Sequence, residues 1–180
     1  MPLNANRSGQ ACALTVLTPV AAGHEERLRA HLEALPQDES PLARLPRTHF
    51  ARWVIVGQFV REPGQRHEDR LHCPYLLFTS NFDGALNTYL DELSERMGAE
   101  ALQVWAHCAG CPEDVAGLKA YLLHNQVDTG IFIAAYPHAT VPRVRRALEM
   151  RRRTIAFAVR SQGLPPAELR QAFVEEFGGG

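Results

Sequence analysis

HFARWVIVGQF, residues 49–59, is the stretch on which the fold turns. It is rich in β-branched and aromatic residues and carries apolar side chains on both of its alternating sets. His49, Ala51, Trp53 and Ile55 form one set, and Phe50, Arg52, Val54 and Val56 the other. Such a run reads as a strand covered on both faces. Downstream, REPGQRHEDR (61–70) contains a Pro-Gly turn signal and leads into YLLFTSNF (75–82), so the two runs are expected to form an antiparallel hairpin. Upstream, CALTVLT (12–18) is a short apolar run stopped by Pro19, which reads as the first strand. TGIFIAAY (129–136), closed by Pro137, reads as a fourth.

Helical spacing fills the gaps between these runs. Leu28, Leu32 and Leu35 make one stripe, with Glu25 and Glu26 early, where the helix dipole favours negative charge, and Pro36 at the end. Three prolines among polar residues make 36–47 a loop. Leu86, Tyr89, Leu90, Leu93 and Met97 form a second stripe that finishes at Gly98. Residues 99–125 are harder to place and are expected to be an insertion over one end of the sheet: AEALQVWAHCAG (99–110) could continue as a helix, and EDVAGLKAYLLHN (113–125) reads as a second short one. A long helix follows Thr140, a good N-cap, with Pro142 in its first turn, and runs to about Arg160; a shorter one spans Pro166–Phe177. The order predicts an α+β fold: a ferredoxin-like split β-α-β core, a four-stranded antiparallel sheet and additional C-terminal helices. The expected organisation is a loose tail at 1–10, one domain at 11–177 and a mobile end at 178–180. Helices on one side leave the sheet's other face needing cover, from the C-terminal helices or from a second copy packed sheet against sheet.

Composition narrows the possible partners. The chain has 180 residues, 46% apolar and 22% charged, enough for a real core. A net charge of −1 gives no global attraction to membrane or nucleic acid, so neither is expected as a partner, and either would require a local patch. Eighteen of the nineteen basic residues are Arg, the exception being Lys119. Four irregularly placed cysteines do not make a disulfide scaffold, and reduced thiols suit a cytoplasmic protein. ACALTVLTPVAA (11–22) has features that a signal peptidase would accept, but little positive charge precedes it and an amphipathic helix follows directly, so the strand reading is preferred.

Several residue groups carry possible chemistry. Asp83, between a strand and a helix, is expected to cap that helix, and with His49 and Arg52 it forms the candidate catalytic set for a cavity on the sheet. His107, Cys108 and Cys111 form His-Cys-x-x-Cys, a spacing suited to zinc or to dithiol exchange, although a four-ligand site is incomplete unless His72 and Cys73 reach it. Arg151 falls inside the apolar stripe Val144, Leu148, Ile155 and Val159, which predicts a carboxylate partner such as Asp83, Glu92 or Asp128, or a bound anion. Arg145, Arg146, Arg152 and Arg153 read as a solvated helix or a weak nucleic-acid patch. Trp105, Tyr136 and His138 complete the candidate ligand-binding residues.

HFARW (49–53), SNFDG (80–84), WAHCAGCP (105–112) and PHATVPRVRRALEMRRR (137–153) together resemble a group of uncharacterised bacterial proteins with similar blocks in the same order. The resemblance implies a ferredoxin-like fold of the dimeric α+β barrel type, and hence a homodimer. SNFDG is also partly similar to the Gly-x-x-Asp-Gly pattern of dye-decolourising peroxidases, which would give Asp83 a place over a haem. Ser80 stands where that pattern begins with glycine, and those enzymes are longer, with two such domains. Three readings follow. The first is a binding or self-assembly module without a cofactor; the second is a small haem or monooxygenase-type oxidoreductase; the third is a zinc or dithiol module through His107, Cys108 and Cys111.

Overall fold

A computed structural model describes residues 6–36, 40–59, 63–67 and 70–178. The ends of the expected tail (1–5) and of the C-terminus (179–180), and parts of the two expected loops (37–39, 60–62 and 68–69), lie outside the described residues. By internal contacts the chain forms two compact units, Met1–Val141 and Pro142–Gly180, which are taken in turn.

The first unit is built on a four-stranded sheet. Its strands are β1 (Arg7–Ser8), β2 (Ala11–Pro19), β3 (Thr48–Val56) and β4 (Tyr75–Asp83), in the spatial order β1-β2-β4-β3, with every neighbouring pair antiparallel. β4 thus lies between the two long strands that precede it, the split order expected from the sequence. The class, the antiparallel four-stranded sheet and the C-terminal helices are all as expected. β4 follows the period of two that a half-covered strand requires: Leu76, Phe78, Ser80 and Phe82 are buried, and Leu77, Thr79 and Asn81 are only partly so. Against the inner face pack α1 (Glu25–Glu33), α2 (Leu86–Trp105) and α3 (Val115–His124), with a 3₁₀ turn at Pro41–Arg44. Trp53, Phe78 and Trp105 meet edge to face or tilted, with centroids 5.3–6.1 Å apart, and Phe82 stacks on Tyr89 at 4.0 Å.

The expected stop at Gly98 is instead a kink. α2 runs on to Trp105, and Met97 leaves helical geometry (φ −146°, ψ 21°). At Gly98 an added Cβ would fall 2.4 Å from Val115 Cγ1, so glycine is what lets α3 pack closely against α2. α3 begins at a proper cap, Asp114 accepting the Gly117 N–H at 3.0 Å.

The fourth strand differs from expectation. Residues 129–136 form no ladder, and Ile131 and Ile133 are each 76% exposed. The reason is edge occupancy. The outer edge of β2 is taken piecewise by β1, by Asn6 (carbonyl to Ala13 N–H, 2.9 Å), by Asn125 and Val127 (3.0 and 2.9 Å to Leu17 and Thr15), and by His107 and Ala109 (each 2.9 Å, to Ala21 and Pro19). A β-prone run that finds the edge of β2 already taken stays unpaired here. The tail expected at 1–10 in fact supplies β1, because Gly9 (φ +63°) turns the chain back onto β2. Within this unit the 49–59 run is covered on one face. The strand ends at Val56, and Phe50 is 77% exposed, its face carrying no helix of this unit.

The second unit holds α4, which starts at Val141 and ends at Arg160, and α5 (Pro166–Phe177). The two are joined through Phe157, Phe173 and Phe177, whose rings lie 5.0–5.8 Å apart, and through Arg153 and Arg160, which both pair with Glu176. No described helix is long and apolar enough to cross a membrane.

Candidate functional site

The helix-free face of the sheet carries the rows Ala13, Thr15 and Leu17 from β2, Leu77, Thr79 and Asn81 from β4, and Phe50, Arg52 and Val54 from β3. Arg52 extends along this face and its Nε donates to Thr79 Oγ1 at 3.1 Å. With Phe50, Ala51, Thr79 and Asn81 it lines a shallow open depression of about 380 Å³. The face is mixed: Leu17, Leu77, Phe50 and Val54 lie beside Thr15, Thr79 and Asn81, with the single cation Arg52 at its middle, and the depression on it is open, not enclosing.

Of the candidate catalytic residues, His49 and Asp83 come together and Arg52 does not join them. A bulge between Thr48 and Phe50 takes His49 out of the strand alternation. Its Nε2 then lies 2.9 Å from Asp83 Oδ1, and the other carboxylate oxygen accepts the Val141 N–H at 2.6 Å. Asp83 is buried, and its own N–H donates to the Arg47 carbonyl at 3.0 Å. The expected cap is therefore real but aimed elsewhere. α2 starts after Ala85 without a side-chain cap, and Asp83 serves the first residue of α4, 58 positions along the chain. Both carboxylate oxygens are occupied in holding backbone and ring. A neutral His49 donates from Nε2 and presents Nδ1 as an acceptor. Asp83 is, among the described residues, its hydrogen-bond partner.

The His-Cys-x-x-Cys residues diverge. Cys108 is buried within 3.3 Å of Thr18 Oγ1, and burial pushes its thiol up to about 11; burial raises the Cys111 thiol as well. Neither environment favours the thiolate that metal binding or exchange requires. His107 turns instead toward His24 and His31 of the α1 region, with ring centroids at 5.5 and 5.8 Å. Among the described residues no group of three or more His, Cys, Asp or Glu is arranged to hold a metal ion. His24 and His31, seven positions apart and hence on one helix face, are the part of this cluster that the sequence reading missed. Their i, i+7 spacing was the available signal.

Burial first, then His31, His24 and Arg27, lowers the pKa of His107 below its ordinary 6.5. The unfolded chain therefore binds this proton before the folded one does. Its contribution to stability is complete above pH 6.5 and is lost as pH falls through 6.5 toward the folded value. Urea melts of the wild type and of His107→Asn between pH 5 and 8 are expected to show a shallower acid decline in the variant; identical slopes would contradict the assignment.

The remaining candidates are placed as follows. Trp105 is fully buried in the core. Tyr136 and His138 are exposed in the segment before α4. Arg151 is exposed too, contrary to the expected buried pair, because Asp83, Glu92 and Asp128 bond instead to His49, to Arg47 (2.9 Å) and to Asn6 (3.1 Å).

The chain matches no protein-family model, no curated protein and no solved structure.

Proposed function

We propose that this protein is a self-associating, ferredoxin-like module that works by assembly, two copies packing their helix-free sheet faces together in the manner of a dimeric α+β barrel. The observation that carries the reading is the composition of that face. Leu17, Leu77, Val54 and the 77%-exposed Phe50 surround Arg52, the only charge along these rows, and Arg52 is already bonded to Thr79. The exposed apolar side chains Phe50 and Val54 on this face gain from being covered, and a copy of itself covers them without stranding an acidic group, with Thr15, Thr79 and Asn81 left to hydrogen-bond across the contact. Sheet-on-sheet packing at about 10 Å would interdigitate the exposed rows. Four unpaired thiols support a reducing, cytoplasmic setting for the assembly.

Sedimentation equilibrium of the full chain tests the proposal. A dimer is expected for the wild type, and Phe50→Asp is expected to give a monomer whose melting temperature is close to that of the wild-type protein, because the residue is exposed within the subunit. A wild-type monomer at about 100 μM, or a Phe50→Asp dimer of unchanged affinity, would remove the proposal.

A further inference from the structure

The net charge of −1 conceals an uneven distribution. Residues 142–180 hold eight arginines against four glutamates, and the rest of the chain holds eleven basic against sixteen acidic residues. The excess is concentrated in α4, VPRVRRALEMRRRTIAFAVR, with seven arginines and one glutamate. Arg153 and Arg160 are committed to Glu176, and Arg152 to Glu149. Arg143, Arg145, Arg146 and Arg151 are exposed and have no ion pair among the described residues.

The apolar side chains of α4 divide between two faces. Phe157 points toward α5 with Arg153 and Arg160, and this face closes the hairpin. At 100° per residue the stripe Val144, Leu148, Arg151, Ile155 and Val159 lies about 170° away, on the outer side. There Leu148, Ile155 and Val159 are 53%, 52% and 65% exposed. The outer stripe has no part in the hairpin, and Arg145 and Arg152 border it on one side, with Arg143 further round the helix on the other.

From this arrangement we infer that α4 is an interfacial helix that adsorbs on an anionic phospholipid surface. A helix of about 30 Å lying in the headgroup plane would bury its outer stripe at the acyl boundary while the bordering guanidinium groups meet phosphates. Arg151 decides among occupants. In the middle of an apolar stripe it needs an anion at the rim of the contact, and a headgroup layer supplies phosphate at the depth to which its long side chain reaches. A second copy of the stripe would offer no acidic group to Arg151, which, unlike Arg52 with its bond to Thr79, has no partner among the described residues. A nucleic acid would satisfy the charges and leave Leu148, Ile155 and Val159 in water. Adsorption of this kind needs no spanning segment, and it is independent of the sheet face proposed for self-association.

Flotation of the full chain with vesicles tests the inference. Binding is expected to equimolar phosphatidylcholine and phosphatidylglycerol at low salt, with little to pure phosphatidylcholine, and is expected to weaken as salt rises. Arg143→Glu with Arg145→Glu is expected to weaken it about thirtyfold or more. Leu148→Asp with Ile155→Asp is expected to abolish it, with circular dichroism reporting that each variant remains folded. If one pair fails to fold, the other pair and the salt series carry the test. Absence of binding to the anionic vesicles, undiminished binding by the aspartate pair, or tighter binding to single-stranded RNA or polyglutamate than to vesicles would overturn the inference.

Discussion

Asp83→Ala is expected to destabilise the first unit by about 2–4 kcal/mol, read as a lower urea midpoint at unchanged m-value. The carboxylate is buried and makes two hydrogen bonds, to the His49 ring and to the Val141 N–H. Loss of a capping side chain costs about 0.5–2 kcal/mol, and loss of a hydrogen bond to a charged group about 1.5–3 kcal/mol, so the two together set the range. Asp83→Asn should cost less, because its amide keeps one acceptor oxygen and adds a donor facing either the Val141 N–H or a ring N–H. The order wild type, Asn, Ala is the signature of a carboxylate that positions the chain. A loss below about 1 kcal/mol for Asp83→Ala would mean that the bonds to His49 and Val141 do not hold in solution.

Trp105→Ala should have the largest effect of any single substitution in the core, about 3–5 kcal/mol, which is a large part of the 5–15 kcal/mol typical of a whole domain. Its ring is fully buried between Trp53 (6.1 Å) and Phe78 (5.3 Å), beneath β3 and β4. The indole N–H has no hydrogen-bond partner among the described residues, so the loss is one of packing, and Trp105→Phe should recover part of it. Thermal melts of the three proteins check the order. Near-equal stability of wild type and Trp105→Ala would return Trp105 to the ligand-lining role that the sequence suggested.

Which parts of this architecture the sequence revealed depends on the range of the forces involved. The alternation Leu76, Phe78, Phe82 and the stripe Leu86, Tyr89, Leu90, Leu93 are one-dimensional records of a buried face, so β4 and α2 were legible. The spacing of Leu28 and Leu32 and the breaker Pro36 bounded α1 for the same reason. At the candidate site the cap at Asp83 was legible as a residue type, while its recipient, the Val141 amide, was not, because nothing local encodes a contact 58 residues long. The pairing of His49 with Asp83 was not legible, because the bulge between Thr48 and Phe50 breaks the alternation on which its neighbours would be read. Arg151 was read as buried from the wheel alone, but a stripe shows only that a face is apolar, and its exposure depends on what packs there.

The sequence by itself determined the α+β class, three of the strands, the helices and the inward faces of α1 and α2, because propensity and periodicity act between neighbours. The tertiary structure alone decided that Arg7–Ser8 and not 129–136 occupies a place in the sheet, that α2 kinks at Gly98 to admit Val115, and that His107 meets two histidines while Cys108 is buried against Thr18. Each of these is a competition for one edge or one volume between segments far apart in the chain, and its outcome exists only once they are packed.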